Sequence, residues 1–262
     1  MSIFSKLRPS RSRVDGASVE ISEQDGLRSL HLGSSTVQST MRIADPVELV
    51  LSYTRAMMGF LLFHPRPRHV VMIGLGGGSL AKFAHHRLPG ARVSVIENSA
   101  QVIAAARSYF EVPPDGERFE VIQGDGAEYV RAHPEGCDVL MIDGYDGDAQ
   151  VAALASEAFY ADSRNAIERD GVVVVNLWSS DKRFDTYVQR IERTFDSRVI
   201  CLPAERRGNV AVLAFRRVPD PTDWAALKVR GKQLEKLVGL EFPRFVDRLK
   251  ELNPHTDKRL IV

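Results

Sequence analysis

Hydrophobic and polar positions form alternating blocks along the chain between Arg68 and Arg217. Short apolar runs, typical of buried parallel strands, alternate with longer segments in which apolar residues recur at helical spacing. The apolar runs predict strands at residues 70–73, 92–97, 119–122, 138–142 and 172–177. The segments between them predict a helix from residue 79 and further helices at residues 99–110, 127–132, 156–168 and 181–195. Such alternation is typical of a parallel sheet covered by helices.

Two more apolar runs, at residues 198–202 and 210–216, follow the last of these helices with only a polar loop, 205–209, between them. Two strands joined without a crossover helix pair antiparallel, so this arrangement predicts a hairpin at one edge of the sheet. We therefore expect an α/β fold whose doubly wound sheet is mostly parallel and carries an antiparallel edge.

The segments on either side of this region have different patterns. Residues 17–45 alternate loosely around a turn at Asp25-Gly26, which predicts a small hairpin with a third strand near residues 36–41. Asp45 and Pro46 suit the cap and first position of a helix that ends before Pro65. Residues 222–252 are charged and amphipathic, and they predict one or two helices that cover the sheet or a partner.

Composition narrows the function classes. The formal net charge of +1 provides no field for a nucleic acid or a membrane surface, so we expect neither partner. No apolar run approaches the length of a membrane span, and the basic first residues lack the apolar segment of a secretory signal. We expect a cytoplasmic protein with Cys137 and Cys201 as free buried thiols. The seven histidines show no metal-ligand spacing, so we expect no metal site.

Candidate chemistry begins in residues 70–80, which read VVMIGLGGGSL. An apolar strand runs into a turn in which Gly74, Gly76, Gly77 and Gly78 let the backbone bend tightly and approach a ligand. The helix that follows presents unpaired N–H groups and the positive end of its dipole at the same place. Strand, glycine turn and helix open a nucleotide-binding βαβ unit, although glycine-rich turns also occur for packing alone.

Acidic residues follow three other strands. Glu97 ends the second strand about twenty residues after the glycines, Asp125 follows the third, and Asp143 and Asp146 follow the fourth. Any one of these acids could be a solvated cap, but ligands of a doubly wound sheet bind at this edge, so together they indicate a nucleoside site. The glycine turn contains no cation, and Lys82 lies a turn into the helix. This pattern favours an uncharged or cationic nucleoside over a dinucleotide.

The order of these motifs resembles a known family. The segments are IGLGGGSL, VSVIENSAQVIAAARSYF, FEVIQGDGAEYV, DVLMIDGYDG and the aromatic pair Phe159-Tyr160. Over residues 36–178 they are similar in order and spacing to the spermidine synthase (polyamine aminopropyltransferase) family, whose fold is the Rossmann-like sheet of S-adenosylmethionine-dependent transferases. The resemblance implies transfer of an aminopropyl group from decarboxylated S-adenosylmethionine to a polyamine.

The resemblance also implies roles in binding the donor. The glycine turn would cradle the methionine-derived chain of decarboxylated S-adenosylmethionine. Glu97 matches the acid that holds the ribose, and Asp125, next to Gly126, matches the acid that holds adenine. Gln38, on the predicted third strand, looks like the family's glutamine beside the nucleoside.

Further residues are implied at the amine site. Asp143 and Asp146 match the two acids of the family's Asp-x-x-Asp-Pro loop, with Gly147 in place of the proline. By resemblance, Asp143 helps to deprotonate the acceptor amine, and Asp146 binds a second amine or steadies the first. Tyr53 and Tyr145 are the implied substrate-binding residues. A carboxylate is required near the acceptor because a protonated amine is not a nucleophile.

Two positions depart from the family pattern and leave alternatives open. Gly77 lies where the family has an aspartate that pairs with the donor's ammonium, and Ser52-Tyr53 lie where the family has a Tyr-His pair. The chain could therefore be an aminopropyltransferase with an unusual acceptor, a methyltransferase that uses intact S-adenosylmethionine, or a non-catalytic nucleoside-binding homologue. The shortened N-terminal strand region and the amphipathic C-terminal segment suggest a homodimer.

The sequence divides into four expected parts. Residues 1–15 are expected to be a disordered tail, and residues 16–45 a small N-terminal β region. Residues 46–218 form the nucleoside-binding transferase domain, and residues 219–262 form a C-terminal helical extension.

Overall fold

The structure, a computed structural model, describes residues 19–33, 37–146, 149–204 and 208–262. For residues 145, 146, 149 and 150 it describes the backbone. The predicted tail, Gly147 and most of the predicted polar loop at 205–209 lie outside the described residues. The four domain limits expected from the sequence stay a prediction.

The central element is a seven-stranded sheet with the order β11-β12-β10-β7-β4-β5-β6. Strands β4, β5, β6, β7 and β10 are parallel, while β12 is antiparallel to both β10 and β11. The strands are β4 (His69–Ile73), β5 (Arg92–Glu97), β6 (Phe119–Gln123), β7 (Cys137–Ile142), β10 (Ile167–Trp178), β11 (Val199–Pro203) and β12 (Asn209–Phe215). The expected α/β sheet with an antiparallel edge is confirmed.

A separate three-stranded antiparallel sheet precedes it and comprises β1 (Val19–Gln24), β2 (Leu27–Leu32) and β3 (Val37–Arg42). The turn between β1 and β2 is Asp25-Gly26, and both residues have positive φ, 52° and 74°. That geometry suits a two-residue hairpin whose twist matches the strands. The short strands β8 (Tyr145–Asp146) and β9 (Ala149–Gln150) pair with each other beyond β7.

Helices cover both faces of the large sheet. They are α1 (Ser52–Met57), α2 (Ser79–Arg87), α3 (Ala100–Tyr109), α4 (Gly126–Ala132), α5 (Glu157–Ala166), α6 (Phe184–Thr194), α7 (Trp224–Val238) and α8 (Phe242–Leu252). Two 3-10 segments, Met58–Leu62 and Ala152–Ala155, join them. One apolar cluster buries residues of α1, α2, α3, α7 and α8, and a second cluster buries residues of α4, α5 and α6.

The central strands explain why the sheet forms here. Residues 172–175 of β10 are four consecutive valines with no exposed surface, as expected for a strand between two helical layers. Alternate valines contact opposite clusters, so the strand joins both cores.

Strand order also places the binding crevice. The chain leaves β4 toward β5 and β6, then returns to the other side of β4 as β7. Such a reversal opens a crevice at the carboxyl ends of the two strands. The backbone N–H of Asp143, after β7, donates to the carbonyl of Ile73 at the end of β4 over 3.0 Å. The glycine turn and Asp143 therefore lie side by side at this crevice.

The prediction that a helix starts at Pro46 is wrong, because α1 starts at Ser52. The Asp45 carboxylate accepts from the N–H of Val47 at 3.3 Å and closes a local turn. The Arg55 side chain donates to the carbonyls of Leu49 and Val50 at 3.2 and 3.3 Å. These local contacts satisfy backbone groups that a helix over residues 46–51 would otherwise pair.

Two smaller boundary predictions are also corrected. The helix expected to reach residue 168 ends at Ala166, because Ile167 already pairs with Cys137 of β7 before an irregularity in the register. The helix expected from residue 181 begins at Phe184, since the Asp181 carboxylate accepts from the N–H of Arg183 at 2.8 Å and forms a turn first.

Both cysteines are free, as expected. Burial raises the pKa of each thiol to about 12, so neither is a thiolate at neutral pH. Cys137 is buried, whereas Cys201 is only partly buried. Within the described ranges, no helix combines the length and apolar character needed to cross a membrane.

Candidate nucleoside and amine site

The glycine turn after β4 requires glycine for two reasons. Gly74, Gly76 and Gly78 have φ values of +96°, +52° and +70°, in the left-handed region. A Cβ on Gly74 would also lie 2.4 Å from the carbonyl oxygen of Asp143. The turn and the loop after β7 are thus in direct backbone contact. Gly78 precedes α2, and the first turn of that helix carries no acidic residue.

Glu97 connects this turn to the end of β5. Its carboxylate is 8% exposed. Oε2 accepts from the N–H of Leu75, in the glycine turn, and Oε1 accepts from the N–H of Ser99, both at 2.9 Å. A carboxylate oxygen can accept more than one hydrogen bond, so each oxygen keeps capacity for a hydroxyl donor. The residue predicted to hold the ribose therefore also fixes the turn.

Asp125 lies at the next strand end, and it is exposed. Its Oδ1 accepts from the N–H groups of Ala127 and Glu128 at 2.8 and 2.9 Å and caps α4. Gly126 follows at the helix start, where a Cβ would lie 2.3 Å from Cγ2 of Ile73. The cap therefore fixes the carboxylate at the carboxyl edge of the sheet, where the adenine site is predicted.

Asp143 lies between two side-chain hydrogen-bond donors. Its Oδ1 accepts from Nδ2 of Asn176 at 2.8 Å, and its Oδ2 accepts from the hydroxyl of Tyr53 at 3.2 Å. Burial raises the pKa of this carboxyl, and the hydrogen bonds from Asn176 and Tyr53 oppose that shift in part. Within the described ranges Asp143 has no cationic partner, and a carboxylate with a raised pKa in such surroundings is suited to accept a proton from an amine.

Tyr53 joins two of the predicted groups. Its hydroxyl lies 3.4 Å from the backbone carbonyl of Gln38 as well as 3.2 Å from Oδ2 of Asp143. Gln38 on β3 and Tyr53 on α1 therefore meet at the crevice with the acid after β7. The small sheet contributes directly to this corner of the site.

Gly77 lies beneath two side chains. A Cβ there would lie 2.8 Å from Oγ of Ser39 and 2.8 Å from Cδ1 of Phe110. Ser39 in turn has its Oγ 3.3 Å from Oγ of Ser79. The space next to Gly77 thus contains a hydroxyl and an aromatic ring, where the resemblance implied a carboxylate.

Lys82 does not supply a cation to the turn. The side chain is 1% exposed, and its Nζ donates to the carbonyl of Phe110 at 2.6 Å. Burial lowers its pKa to about 8, with an opposing influence from Glu111. Its interaction stabilises the end of α3 beneath the site.

Two predicted residues are placed by their backbone alone. Tyr145 and Asp146 form β8, immediately beyond Asp143, and β8 pairs with β9. Their assumed contacts with an amine stay a prediction. Among the described residues, no group of three or more His, Cys, Asp or Glu side chains could hold a metal ion.

Asn176 and Asn209 were missed by sequence reasoning. Asn176 is 3% exposed on β10, and its Oδ1 accepts from Nδ2 of Asn209 on β12 at 2.9 Å. The available signal was an amide that interrupts the apolar run VVVVNLW. A buried amide in a central strand needs polar partners, and here one partner is the carboxylate of Asp143.

Comparison with known families matches residues 50–202 to the Spermine/spermidine synthase domain, which is more than half of the 262 residues. The chain belongs to the spermine/spermidine synthase family. The resemblance predicted from the motifs is therefore confirmed.

Relatives in this family align over nearly the whole chain. The polyamine aminopropyltransferase of Chromobacterium violaceum is 47% identical, covering 98% of this chain and 100% of that protein. The polyamine aminopropyltransferase of Neisseria meningitidis serogroup A is 46% identical, covering 97% of each. A spermidine synthase solved with the transition state analogue AdoDATO shares the fold, with a TM-score of 0.65, 24% identity and coverage of 80% of this chain and 73% of that one.

Proposed function

We propose that this member of the spermine/spermidine synthase family is a polyamine aminopropyltransferase. Its donor would be decarboxylated S-adenosylmethionine and its acceptor a linear diamine or polyamine. The observation that carries the proposal is the partly buried carboxylate of Asp143, which is held by Tyr53 and Asn176 against the glycine turn and pairs with no cation among the described residues. The near full-length similarity to polyamine aminopropyltransferases supports the same activity.

The chemistry requires few catalytic groups. The nitrogen of the acceptor attacks the aminopropyl carbon next to the sulfonium, a C–N bond forms, and the C–S bond breaks with its electron pair left on sulfur. The amine proton passes to Asp143, and the nucleoside leaves as the neutral thioether methylthioadenosine. Because the sulfonium is already a good leaving group, the protein mainly aligns the reactants and removes the proton.

The proposed donor site uses the neighbouring strand ends. Glu97 would accept hydrogen bonds from the ribose hydroxyls, and Asp125 would accept from the amino group of adenine. Gln38 and the glycine turn would lie along the nucleoside and its sulfonium chain. Asp146 and Tyr145, on β8, are proposed to contact the acceptor, whose ammonium groups are attracted to carboxylates.

One observation supports a second candidate, a methyltransferase that uses intact S-adenosylmethionine. Gly77 is bordered by the neutral Ser39 and Phe110, so no side chain at this position repels the donor's carboxylate. Each reaction leaves a different nucleoside, which makes the two candidates separable.

The test is product analysis with each donor and a linear diamine. Aminopropyl transfer produces methylthioadenosine and a longer polyamine, whereas methyl transfer produces S-adenosylhomocysteine. We expect methylthioadenosine from the decarboxylated donor. S-Adenosylhomocysteine alone would favour the methyltransferase, and nucleoside binding without either product would favour the non-catalytic homologue.

We further propose that the protein acts in the cytoplasm as a homodimer, without a nucleic-acid or membrane partner. The net charge of +1 supports the absence of nucleic-acid binding. Light scattering that gives twice the chain mass of 29.2 kDa would support the dimer, and a monomer mass at working concentration would contradict it.

A further inference from the structure

Three side chains on neighbouring strands form one line of hydrogen bonds that ends at Asp143. Nδ2 of Asn209, on β12, donates to Oδ1 of Asn176 at 2.9 Å. Nδ2 of Asn176, on β10, donates to Oδ1 of Asp143 at 2.8 Å. Since the sheet order is β12-β10-β7, the line crosses three adjacent strands at their ligand-binding edge. We call the two amides, Asn176 and Asn209, the asparagine relay.

Strand register produces this alignment. Asn176 pairs with Ala211 and Asn209 pairs with Trp178, so the two asparagines are diagonal neighbours on one face of the sheet. Alternation along β10 places Asn176 on the same face as Val172 and Val174, which pack in the cluster that Tyr53 of α1 contacts. The relay and Tyr53 therefore approach the carboxylate from the same side of the sheet but bind different oxygens.

The charge of Asp143 fixes the direction of both amides. An ionised carboxylate only accepts hydrogen bonds, so Asn176 must present its amino group to it. The carbonyl of Asn176 then points to Asn209, which must present its own amino group. Each amide consequently donates toward Asp143, and the relay favours the ionised state over the protonated one.

We propose that Asn176 and Asn209 are positioning residues for proton transfer, which hold Asp143 as a carboxylate and commit its Oδ1 to the sheet. Oδ2, next to the hydroxyl of Tyr53, is then the oxygen that takes the proton from the attacking amine. This inference rests on the proposed function for its kinetic consequence, while its structural consequence can be measured without turnover.

The two amides of the relay carry no charge, and this suits the role of Asp143 as a base. Burial raises the pKa of Asp143, and the relay lowers it in part. A cationic partner would depress the pKa far more and weaken the base. Among the described residues, the titratable group in contact with Asp143 is the phenol of Tyr53 from α1. The other contacts are neutral: β10 provides the amide of Asn176, and the glycine turn provides the backbone of Gly74.

The experiment uses carboxyl NMR of protein labelled with ¹³C-aspartate, with the Asp143 signal assigned by its loss in Asp143→Asn. We expect Asn176→Ala to raise the pKa of Asp143 by about one unit, since it removes a direct donor. Asn209→Ala should raise it by about half a unit, although Asn209 does not touch the carboxylate. The matched control is Asn165→Ala, at an exposed position on α5, which should leave the pKa unchanged.

Kinetics provide the second measurement. The acid limb of the kcat profile should move to higher pH in Asn209→Ala by the same amount as the NMR pKa, with the donor Kd unchanged. If Asn209 had only a structural role, Asn209→Ala would lower the melting temperature but change neither the NMR pKa of Asp143 nor the midpoint of the acid limb of kcat. An unchanged Asp143 pKa in Asn209→Ala would overturn the relay, even if Asn176→Ala fails to fold. Absence of turnover in the native protein, with the NMR shifts present, would contradict the proposed function and not the relay.

Discussion

The carboxylate of Glu97 joins the ends of two parallel strands, because its Oε2 accepts from the backbone N–H of Leu75 at 2.9 Å. Leu75 lies in the glycine turn after β4, and Glu97 ends β5. The same side chain therefore shapes the turn and faces the proposed ribose. Stability and nucleoside binding should depend on it together.

We expect Glu97→Gln to lower both the unfolding free energy and the affinity for the nucleoside. An amide cannot accept from Leu75 and Ser99 with both of its polar atoms, so one backbone N–H is left facing an NH₂ group. Leaving a buried donor unsatisfied costs about 1–3 kcal/mol of unfolding free energy. Thermal melting with and without methylthioadenosine measures both effects. The control is Glu117→Gln, at an exposed position before β6. An undiminished ligand shift in Glu97→Gln would contradict the ribose assignment.

Asp143→Asn should retain donor binding and lose at least about a hundredfold in kcat, because the amide keeps the shape but cannot accept the amine proton. Calorimetric titration measures the Kd of the donor, and a steady-state assay measures kcat. Asp247→Asn, at an exposed position on α8, is the matched control. A native rate in Asp143→Asn would show that another group removes the proton.

Gly74→Ala should destabilise the protein by about 1–3 kcal/mol or more. The φ of +96° is unfavourable for a side chain, and the new Cβ would lie 2.4 Å from the carbonyl oxygen of Asp143. Urea unfolding measures the loss, and residual activity should fall because Asp143 must move. Gly90→Ala is the control, since nothing lies within 4 Å of a Cβ there. Equal stability of the two variants would contradict the contact.

The native protein should bind decarboxylated and intact S-adenosylmethionine within about tenfold of each other, or about 1.4 kcal/mol. The neighbours of Gly77 are neutral, so the turn provides no charge that separates the two donors. Calorimetry with both donors tests this. A preference of a hundredfold or more for the decarboxylated donor would contradict this prediction and show that an acid elsewhere in the site discriminates between the two donors.

The engineered counterpart combines Gly77→Asp with Ser39→Ala. The second change removes the Oγ that lies 2.8 Å from the new Cβ, while the ring of Phe110 must still shift. An aspartate here attracts the donor's ammonium and repels a carboxylate, so preference should move toward the decarboxylated donor. Ser39→Ala alone is the control. No change in preference would mean that the methionine-derived chain does not approach residue 77.

Acid stability should depend on Asp138, which is 3% exposed at the start of β7. Burial raises its pKa, but the ring of His64, whose Nε2 lies 3.7 Å from Oδ2, and hydrogen bonds from the backbone N–H groups of Arg68 and His69 outweigh burial and lower the pKa to about 2. Because the folded pKa lies below the unfolded one, the stabilisation is present above about pH 4 and is lost as pH falls toward 2.

Asp138→Asn should therefore lower the unfolding free energy at neutral pH by about 2 kcal/mol and flatten its dependence between about pH 4 and 2. Urea unfolding across this range is the measurement, with the exposed Asp247→Asn as reference. A variant whose pH dependence matches the native protein would show that other acids control this region.

The sequence by itself determined the order of strands and helices, since buried parallel strands must be apolar throughout and alternate with amphipathic helices. It also determined which residues reach the carboxyl edge, because Glu97, Asp125 and Asp143 directly end or follow strands. The motifs sufficed to recognise the family.

Only the tertiary structure decided how those residues are held. The start of α1 depended on Arg55, which pairs with the distant Glu241 at 2.9 Å and donates to backbone carbonyls of the preceding turn. The environment of Asp143 depended on Tyr53, Asn176 and Asn209, which are separated by up to 156 positions (from 53 to 209) and meet through the order β12-β10-β7. Strand order and register are long-range properties, so a local pattern identifies an acid but not the donors that set its pKa.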